Sequence, residues 1–260
     1  MHFTTIVVTR AANVWHIELN REAKRNALSD AMVGELHACI ALMQADVGAI
    51  ILSGKGKHFC AGLDLSELKD HGVAGGMRHS QMWHAAFDQV QFGPAPVIAV
   101  LQGAVVGGGL ELASSAHVRI AEPNAFFALP EGQRGLFVGG GGSVRIPRLI
   151  GVSRMTDMML TGRSFDALQA EQIGLVNYAV DAGAGITKAC ELAQKIAGNA
   201  PLSNFAVMNA LPRIAEVSPA QGLFTESLMA AIAQSDGDAK ARMASFLEGK
   251  AAKVKPSDGG

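Results

Sequence analysis

Val97-Ile-Ala-Val-Leu101, Gln102-Gly-Ala-Val-Val-Gly-Gly-Gly-Leu-Glu-Leu-Ala-Ser-Ser115 and Val118-Arg-Ile-Ala121 carry the fold in miniature. The first is an unbroken apolar, β-rich run and reads as a buried strand. Gly103–Gly109 reads as a turn, Leu110–Ser115 as a short helix and Val118–Ala121 as a further strand. Strand, helix and strand in quick succession point to an α/β fold.

Upstream, Thr4–Thr9 and Val14–Leu19 are apolar, β-branched runs separated by Arg10-Ala-Ala-Asn13, the pattern of a strand pair with a short turn. A helix follows from a cap at Ser29 or Asp30. Its apolar positions Met32, Leu36, Cys39, Ile40 and Met43 recur at spacings of three and four, so one face is buried. Ala49–Leu52 is another short strand, and helix-like sequence begins near Ser66-Glu-Leu-Lys69. Downstream, the six glycines between Gly132 and Gly142 read as a loop before a helix around Ser153–Leu160. After Pro201 the chain is helical, with breaks at Pro212 and Pro219, and Pro256-Ser-Asp-Gly-Gly260 reads as a frayed tail. The organisation expected is an α/β core over residues 1–200 and a helical region over 201–260.

A chain of 260 residues buries roughly 70–75% of its unfolded surface and needs neither disulfide nor metal to fold. Charged residues are 17% and apolar residues 49%, which excludes disorder and coiled coil and suggests that some outer face is covered by other subunits. A net charge of −1 supplies no field for holding a polyanion, so no nucleic-acid partner is expected. Cys39, Cys60 and Cys190 are odd in number and widely spaced, which fits a reducing, cytoplasmic compartment. The start of the chain reads as a strand and not as a leader. Gln89–Leu110 holds no charged residue, but five glycines, two prolines and three glutamines break it, so no membrane span is expected.

No G-x-G-x-x-G or G-x-x-x-x-G-K-[ST] cradle occurs, Ser143 lacks the second glycine of a nucleophile elbow, and the histidines, among them His58, His79, His84 and His117, show no metal-ligand spacing. No metal site and no separate cofactor are read. What remains are three glycine-centred segments: Phe59-Cys-Ala-Gly-Leu-Asp-Leu65, Gly107-Gly-Gly-Leu-Glu-Leu-Ala113 and Leu129-Pro-Glu-Gly132. In the second, glycines enter a helix and leave its first N–H groups unobstructed, where the helix dipole backs them against an oxyanion. In the first, a bend at Gly62 would expose the Leu63 N–H, so the two donors together would form an oxyanion hole. Glu111 stands about one turn past Gly108 and Glu131 follows Pro130 in an apolar stretch; two glutamates facing one pocket can share general-base and general-acid work. The same residues also read as a helix-solvating charge and a surface turn.

Gly103-Ala-Val-Val-Gly-Gly-Gly-Leu-Glu-Leu-Ala113, Phe59-Cys-Ala-Gly-Leu-Asp-Leu65 and Asn20-Arg-Glu-Ala-Lys-Arg-Asn-Ala-Leu28, with Leu160-Thr-Gly-Arg163 and Ala170-Glu-Gln-Ile-Gly-Leu-Val176, resemble the enoyl-CoA hydratase/isomerase (crotonase) superfamily, in order from about residue 5 to 250. The resemblance implies a crotonase-like spiral of ββα repeats, a helical C-terminal trimerisation region, a homotrimer or dimer of trimers, and an acyl-CoA thioester substrate of which coenzyme A is part. It implies that the N–H groups of Leu63 and Gly108 are the oxyanion donors and that Glu111 and Glu131 are the catalytic pair. Lys24, Ala27, Ala61, Asp64 and Leu65 match positions lining the coenzyme A site, and Lys250 or Lys253 a position reaching the nucleotide phosphate of a neighbouring subunit.

Three positions depart from the family pattern: Glu22 replaces a proline, Val138 replaces a proline before Gly139, and Ala116-His117 replaces Cys-Asp. Gly139 stands where the dienoyl isomerase branch carries an aspartate, which disfavours that branch. The reaction expected is hydration of the 2,3 double bond. Its alternatives are double-bond isomerisation, thioester hydrolysis, or a non-catalytic acyl-CoA- or RNA-binding role.

Overall fold

The computed structural model describes residues 2–43, 46–67 and 72–250. They fall into two compact units, one running up to Gly198 and the other starting at Asn199.

The first unit opens with a hairpin of β1 (Ile6–Ala11) and β2 (Val14–Leu19), antiparallel with Ile6 opposite Leu19 and Ala11 opposite Val14. The turn is tighter than expected: Arg10 and Ala11 stay in the strand, leaving Ala12, at φ +53°, and Asn13. Thr4 and Thr5 precede the strand because the Glu35 carboxylate takes both their N–H and both their hydroxyl donors, at 2.6–2.8 Å. Helix α1 (Asp30–Ala41) starts at Ser29, whose Oγ accepts from the Met32 N–H at 3.2 Å, and buries Met32, Val33, Leu36, Cys39 and Ile40.

Then follow β3 (Ala49–Gly54), α2 (Gly72–Phe92), β4 (Val97–Leu101), β5 (Ala104–Val106), α3 (Gly108–Ser115), β6 (Val118–Ala121) and β7 (Phe126–Ala128). The unit closes with α4 (Gly142–Ile150), α5 (Val152–Thr161), β8 (Phe165–Asp166), α6 (Ala167–Gln172), β9 (Tyr178–Ala179) and α7 (Gly185–Ala197). Of the helix-like sequence at 66–69, Leu65–Glu67 forms a 3-10 turn and 68–69 lie outside the described residues.

One sheet has the order β1-β2-β3-β4-β6-β9 and is parallel beyond the hairpin; the other has the order β5-β7-β8. Isolated bridges, Leu28 to Leu63 and Cys60 to Val105, extend the second layer. The repeat is therefore visible: a strand of the large sheet, a short extended piece of the second layer, then a helix. It occurs as β2–Leu28–α1, β3–Cys60–α2 and β4–β5–α3. Side chains alternate across the large sheet. Ile51, Ile98, Val100 and Ile120 pack with Ala189 and Ala193 of α7, while Ile50, Leu52, Val97 and Leu101 join Leu36, Phe59 and Phe87 in the main core. Each such side chain contributes about 1.5–3 kcal/mol, and Cys39, Cys60 and Cys190 are all free.

Two expectations are corrected. Gly103–Gly109 is not a single turn: Ala104–Val106 is a strand, made so by parallel pairing with β7, and the helix begins at Gly108. The polyglycine loop yields at Gly142 to α4, which carries Pro147 inside it.

The second unit contains α8 (Pro201–Asn209), α9 (Leu211–Ile214), α10 (Pro219–Ser235) and α11 (Gly237–Leu247). Pro212 and Pro219 stand in first helical turns, where a missing N–H costs nothing. Phe205, Leu211, Leu223, Phe224, Phe246 and Leu247 are exposed. Lys250 pairs with Glu248 at 2.6 Å; Lys253 and the tail at 256–260 lie outside the described residues. Among the described residues no helix is long and apolar enough to cross a membrane, and no group of three or more His, Cys, Asp or Glu side chains is placed to hold a metal ion.

Candidate active site

The two glycine-centred segments meet because each is paired to a neighbour. The Leu28 N–H donates to Gly62 O (2.8 Å) and the Asp64 N–H to Leu28 O (2.9 Å), while the Cys60 N–H donates to Ala104 O (2.9 Å) and the Val106 N–H to Cys60 O (3.1 Å). Segment 60–64 is thereby fixed between the start of α1 and β5. Gly62 has φ +99°, and a Cβ there would lie 2.8 Å from Val106 O and 3.6 Å from Gly108 N. Only glycine takes that conformation in that space. Among the described residues the N–H groups of Leu63 and Gly108 have no acceptor; the first borders this contact and the second opens α3, whose cap Gly107 carries no side chain.

Glu111 lies in the first turn of α3 and is buried, and its Oε1 accepts from Gly140 N–H and Gly142 N–H at 2.8 Å each. A Cβ at Gly142 would stand 2.7 Å from Glu111 Cγ, so the polyglycine run lets backbone donors close on this carboxylate. Burial pushes its pKa above the ordinary value, against the pull of the glycine N–H groups and of His84. Glu131 follows Pro130 at the head of a 3-10 turn, Gly132–Arg134. Its Oε1 lies over Gly107, and its Oε2 is buried and accepts no hydrogen bond among the described residues. Burial raises its pKa, its own backbone N–H pulls the other way, the Glu111 charge adds to the rise, and Arg134 opposes it.

Both glutamates, Leu63, Gly108, Ala61 and Leu65 line one cavity of about 180 Å³. Lys24, Ala27 and Asp64 do not line it. Lys24 is exposed on a 3-10 turn, Glu22–Lys24, and Ala27 is buried, its carbonyl accepting from Arg21 Nη1 at 2.6 Å. Asp64 Oδ1 takes the Ser66 hydroxyl (2.6 Å) and its Oδ2 pairs with Arg21 (2.8 Å), which together hold its pKa down at about 2. It ties the loop after β2 to the edge of the cavity.

Sequence reasoning missed the opposite wall. Helix α2 presents His79, Ser80 and Trp83, and the loop after Glu131 presents Arg134, Leu136 and Phe137. Spacings of three and four along α2 were the available signal. The indole edge of Trp83 lies against Gly108 so closely that a Cβ there would stand 2.7 Å from its Cζ3. Phe137 is 71% exposed, an apolar rim at the mouth.

The profile of the enoyl-CoA hydratase/isomerase family matches residues 9–256. The chain is similar to a protein of Rhodopseudomonas palustris, provisionally assigned as an enoyl-CoA hydratase, whose crystal structure is 54% identical in sequence, with a TM-score of 0.92 over 96% of this chain and 97% of that one. It is 32% identical over 251 residues to the short-chain-enoyl-CoA hydratase of Clostridium acetobutylicum (95% of this chain, 96% of the relative). It is 33% identical over 249 residues to the 2,3-dehydroadipyl-CoA hydratase of Escherichia coli (94% and 95%). Profile, relatives and fold agree: the chain belongs to the enoyl-CoA hydratase/isomerase family.

Proposed function

We propose that the protein is an enoyl-CoA hydratase that adds water across the 2,3 double bond of an acyl-CoA thioester. One observation carries the reading: two backbone N–H groups without acceptors among the described residues and two glutamates with raised pKa values share a single cavity. A thioester oxygen accepting from the Leu63 and Gly108 N–H groups has its carbonyl polarised, which draws electrons from the double bond and stabilises the enolate formed as water attacks the β-carbon. Glu111, held by two N–H donors, accepts from and orients the water. Glu131 takes the water proton on Oε2, which has no partner among the described residues, and returns it to the α-carbon, so the protein ends in the protonation state in which it began. Coenzyme A enters as part of the substrate, and no metal or further cofactor is invoked. For the coenzyme A part, Ala61 and Leu65 line the cavity and would touch it directly, Asp64 would fix the segment, Lys24 would offer an exposed cation to phosphate, and buried Ala27 would support this edge only through its bond to Arg21.

The acyl group is left open by this reading, because the two named relatives act on different enoyl thioesters at nearly equal identity. The apolar side chains exposed on residues 201–250 support self-association as a trimer or dimer of trimers. Free Cys39, Cys60 and Cys190 accord with a reducing, cytoplasmic setting. The test is a turnover screen across short, branched, aromatic and dicarboxylic enoyl-CoA thioesters, with light scattering of the same sample. Hydration of at least one thioester by a trimer or hexamer is expected. Binding without turnover across the panel would favour a non-catalytic acyl-CoA protein, and a monomeric mass would remove the assembly.

A further inference from the structure

Arg145 has no place in the chemistry above, yet it is one of the most heavily engaged side chains near it. It lies on α4 with its side chain 9% exposed, and its guanidinium uses all three nitrogens. Nε donates to Gln91 Oε1 (2.7 Å), Nη2 to Asp88 Oδ1 (2.6 Å) and Nη1 to Gly140 O (3.2 Å). The first two partners stand near the end of α2. The third belongs to the residue whose N–H donates to Glu111. Gly140 is thus gripped from both sides, by Glu111 on the cavity face and by Arg145 behind it. Gly141, at φ +92°, is where the fork lies against the chain, and a Cβ there would collide with Nη1.

The far anchor is itself fixed. Gln91 O accepts from His117 Nε2 (3.0 Å), and the other nitrogen of that ring accepts from the Val97 N–H (2.9 Å), which joins the end of α2 to β4. Burial holds His117 down at about 4, so this link stays unprotonated across the neutral range.

Four consecutive glycines, Gly139–Gly142, form the backbone with the greatest freedom to lose. Two N–H groups on such a run will not stay aimed at one carboxylate oxygen unless something outside the run fixes it. We propose that Arg145 is a positioning residue for Glu111, bolting the glycine loop to α2 so that the Gly140 and Gly142 N–H groups remain on Glu111 Oε1. The proposal rests on the assignment of Glu111 to the chemistry. The rigid, always charged fork of arginine suits a three-point anchor, whereas lysine would supply the charge and a single flexible donor.

The test compares Arg145→Met, Arg145→Lys and the double variant Asp88→Ala/Gln91→Ala in the full chain. The double variant leaves Arg145 and the loop in place and removes only the anchor, so it decides the matter if Arg145→Met fails to fold. The first readout needs no turnover. Protein labelled with ¹³C at glutamate Cδ is titrated by NMR, with the Glu111 signal identified by its loss in Glu111→Gln. The charged groups facing Glu111 are His84 of α2, Glu131 and Arg145 itself. Losing aligned donors and a nearby cation both disfavour the carboxylate, so the Glu111 midpoint should rise in Arg145→Met. It should rise less in Arg145→Lys, which keeps the charge, and rise in the double variant although the cation is still present.

The second readout is kinetic, on the thioester with the highest wild-type turnover. Arg145→Met should lower kcat roughly 10–100-fold, the cost of a misplaced catalytic group, with partial rescue by lysine. KM should stay within about threefold, since no binding contact is removed. A fall in melting temperature with the Glu111 midpoint and kcat unchanged would make Arg145 merely structural and overturn the proposal. If Glu111→Gln keeps wild-type turnover, the catalytic assignment fails instead, and the NMR titration still decides whether Arg145 holds the loop.

Discussion

The two glutamates face the same cavity from differently built surroundings. Around Glu111 the chain gives up side chains so that backbone donors can close in, and one oxygen receives two N–H groups at 2.8 Å. Around Glu131 one oxygen rests over Gly107 and the other is buried with no donor among the described residues. Fixed donors orient a buried carboxylate and offset part of the cost of burying its charge; a carboxyl oxygen without a donor leaves room for a proton exchanged with a ligand. Under the proposed hydration, the contrast suits Glu111 to orientation and Glu131 to proton transfer.

The largest effect should separate the two. Glu131→Gln and Glu111→Gln should each lose roughly 10²–10⁴ in hydration rate, the usual span of general acid–base catalysis, measured by loss of enoyl absorbance. Only Glu131→Gln should also suppress exchange of the α-proton of a saturated acyl-CoA with deuterated solvent. Equal suppression by both variants would erase the division of labour.

Next in size is Gly108→Val, expected to cost roughly 10²–10³ in kcat. The structure sharpens the cause: a Cβ there would meet Trp83 Cζ3 at 2.7 Å, so the indole as well as the thioester oxygen must move. Trp83→Leu combined with Gly108→Val should restore packing without restoring turnover; full recovery would show that the donor was never the point.

How far these features were readable depends on where their partners lie. Val97–Leu101 and Val118–Ala121 were read with correct ends because strands buried on both faces need no context. Ala104–Val106 was hidden among glycines, since its partner Phe126–Ala128 lies about 20 residues on and a three-residue strand carries too little periodicity to be seen alone. Helix Gly142–Ile150 was hidden by the glycine that opens it and the Pro147 inside it, two residues that argue against a helix locally and are overruled by packing of its buried Ile146 and Ile150. At the site, Glu111 and Gly108 were legible because one helical turn joins them. Trp83 and Arg145 were not, because only the fold brings α2 and α4 to the same loop.

The smallest effect is on stability and runs opposite to activity. A carboxyl whose folded pKa is raised leaves stability intact at low pH and removes it as pH climbs through the unfolded and then the folded value. Glu131→Gln should therefore melt above wild type at pH 8, with the difference vanishing toward pH 4. Glu111→Gln should shift in the same direction, since its pKa too is raised by burial. Asp64, held down at about 2, behaves in the opposite sense: its contribution is present above pH 4 and is lost as pH falls toward 2, so Asp64→Asn should lose its deficit against wild type only in strong acid. Scanning calorimetry from pH 1.5 to 8 reads all three.

The central claim, that this cavity adds water to a conjugated thioester, is tested most directly by following the atoms of water. The wild-type protein is incubated with each enoyl-CoA of the panel in deuterated water enriched in ¹⁸O, and the products are analysed by mass spectrometry and NMR. The expected product is a 3-hydroxyacyl-CoA carrying one ¹⁸O at the β-carbon and one deuterium at the α-carbon, formed at a rate that collapses in Glu131→Gln. A product whose double bond has moved without taking up ¹⁸O, or release of free coenzyme A with ¹⁸O in the carboxylate, would contradict it and assign the same oxyanion donors to isomerisation or thioester hydrolysis.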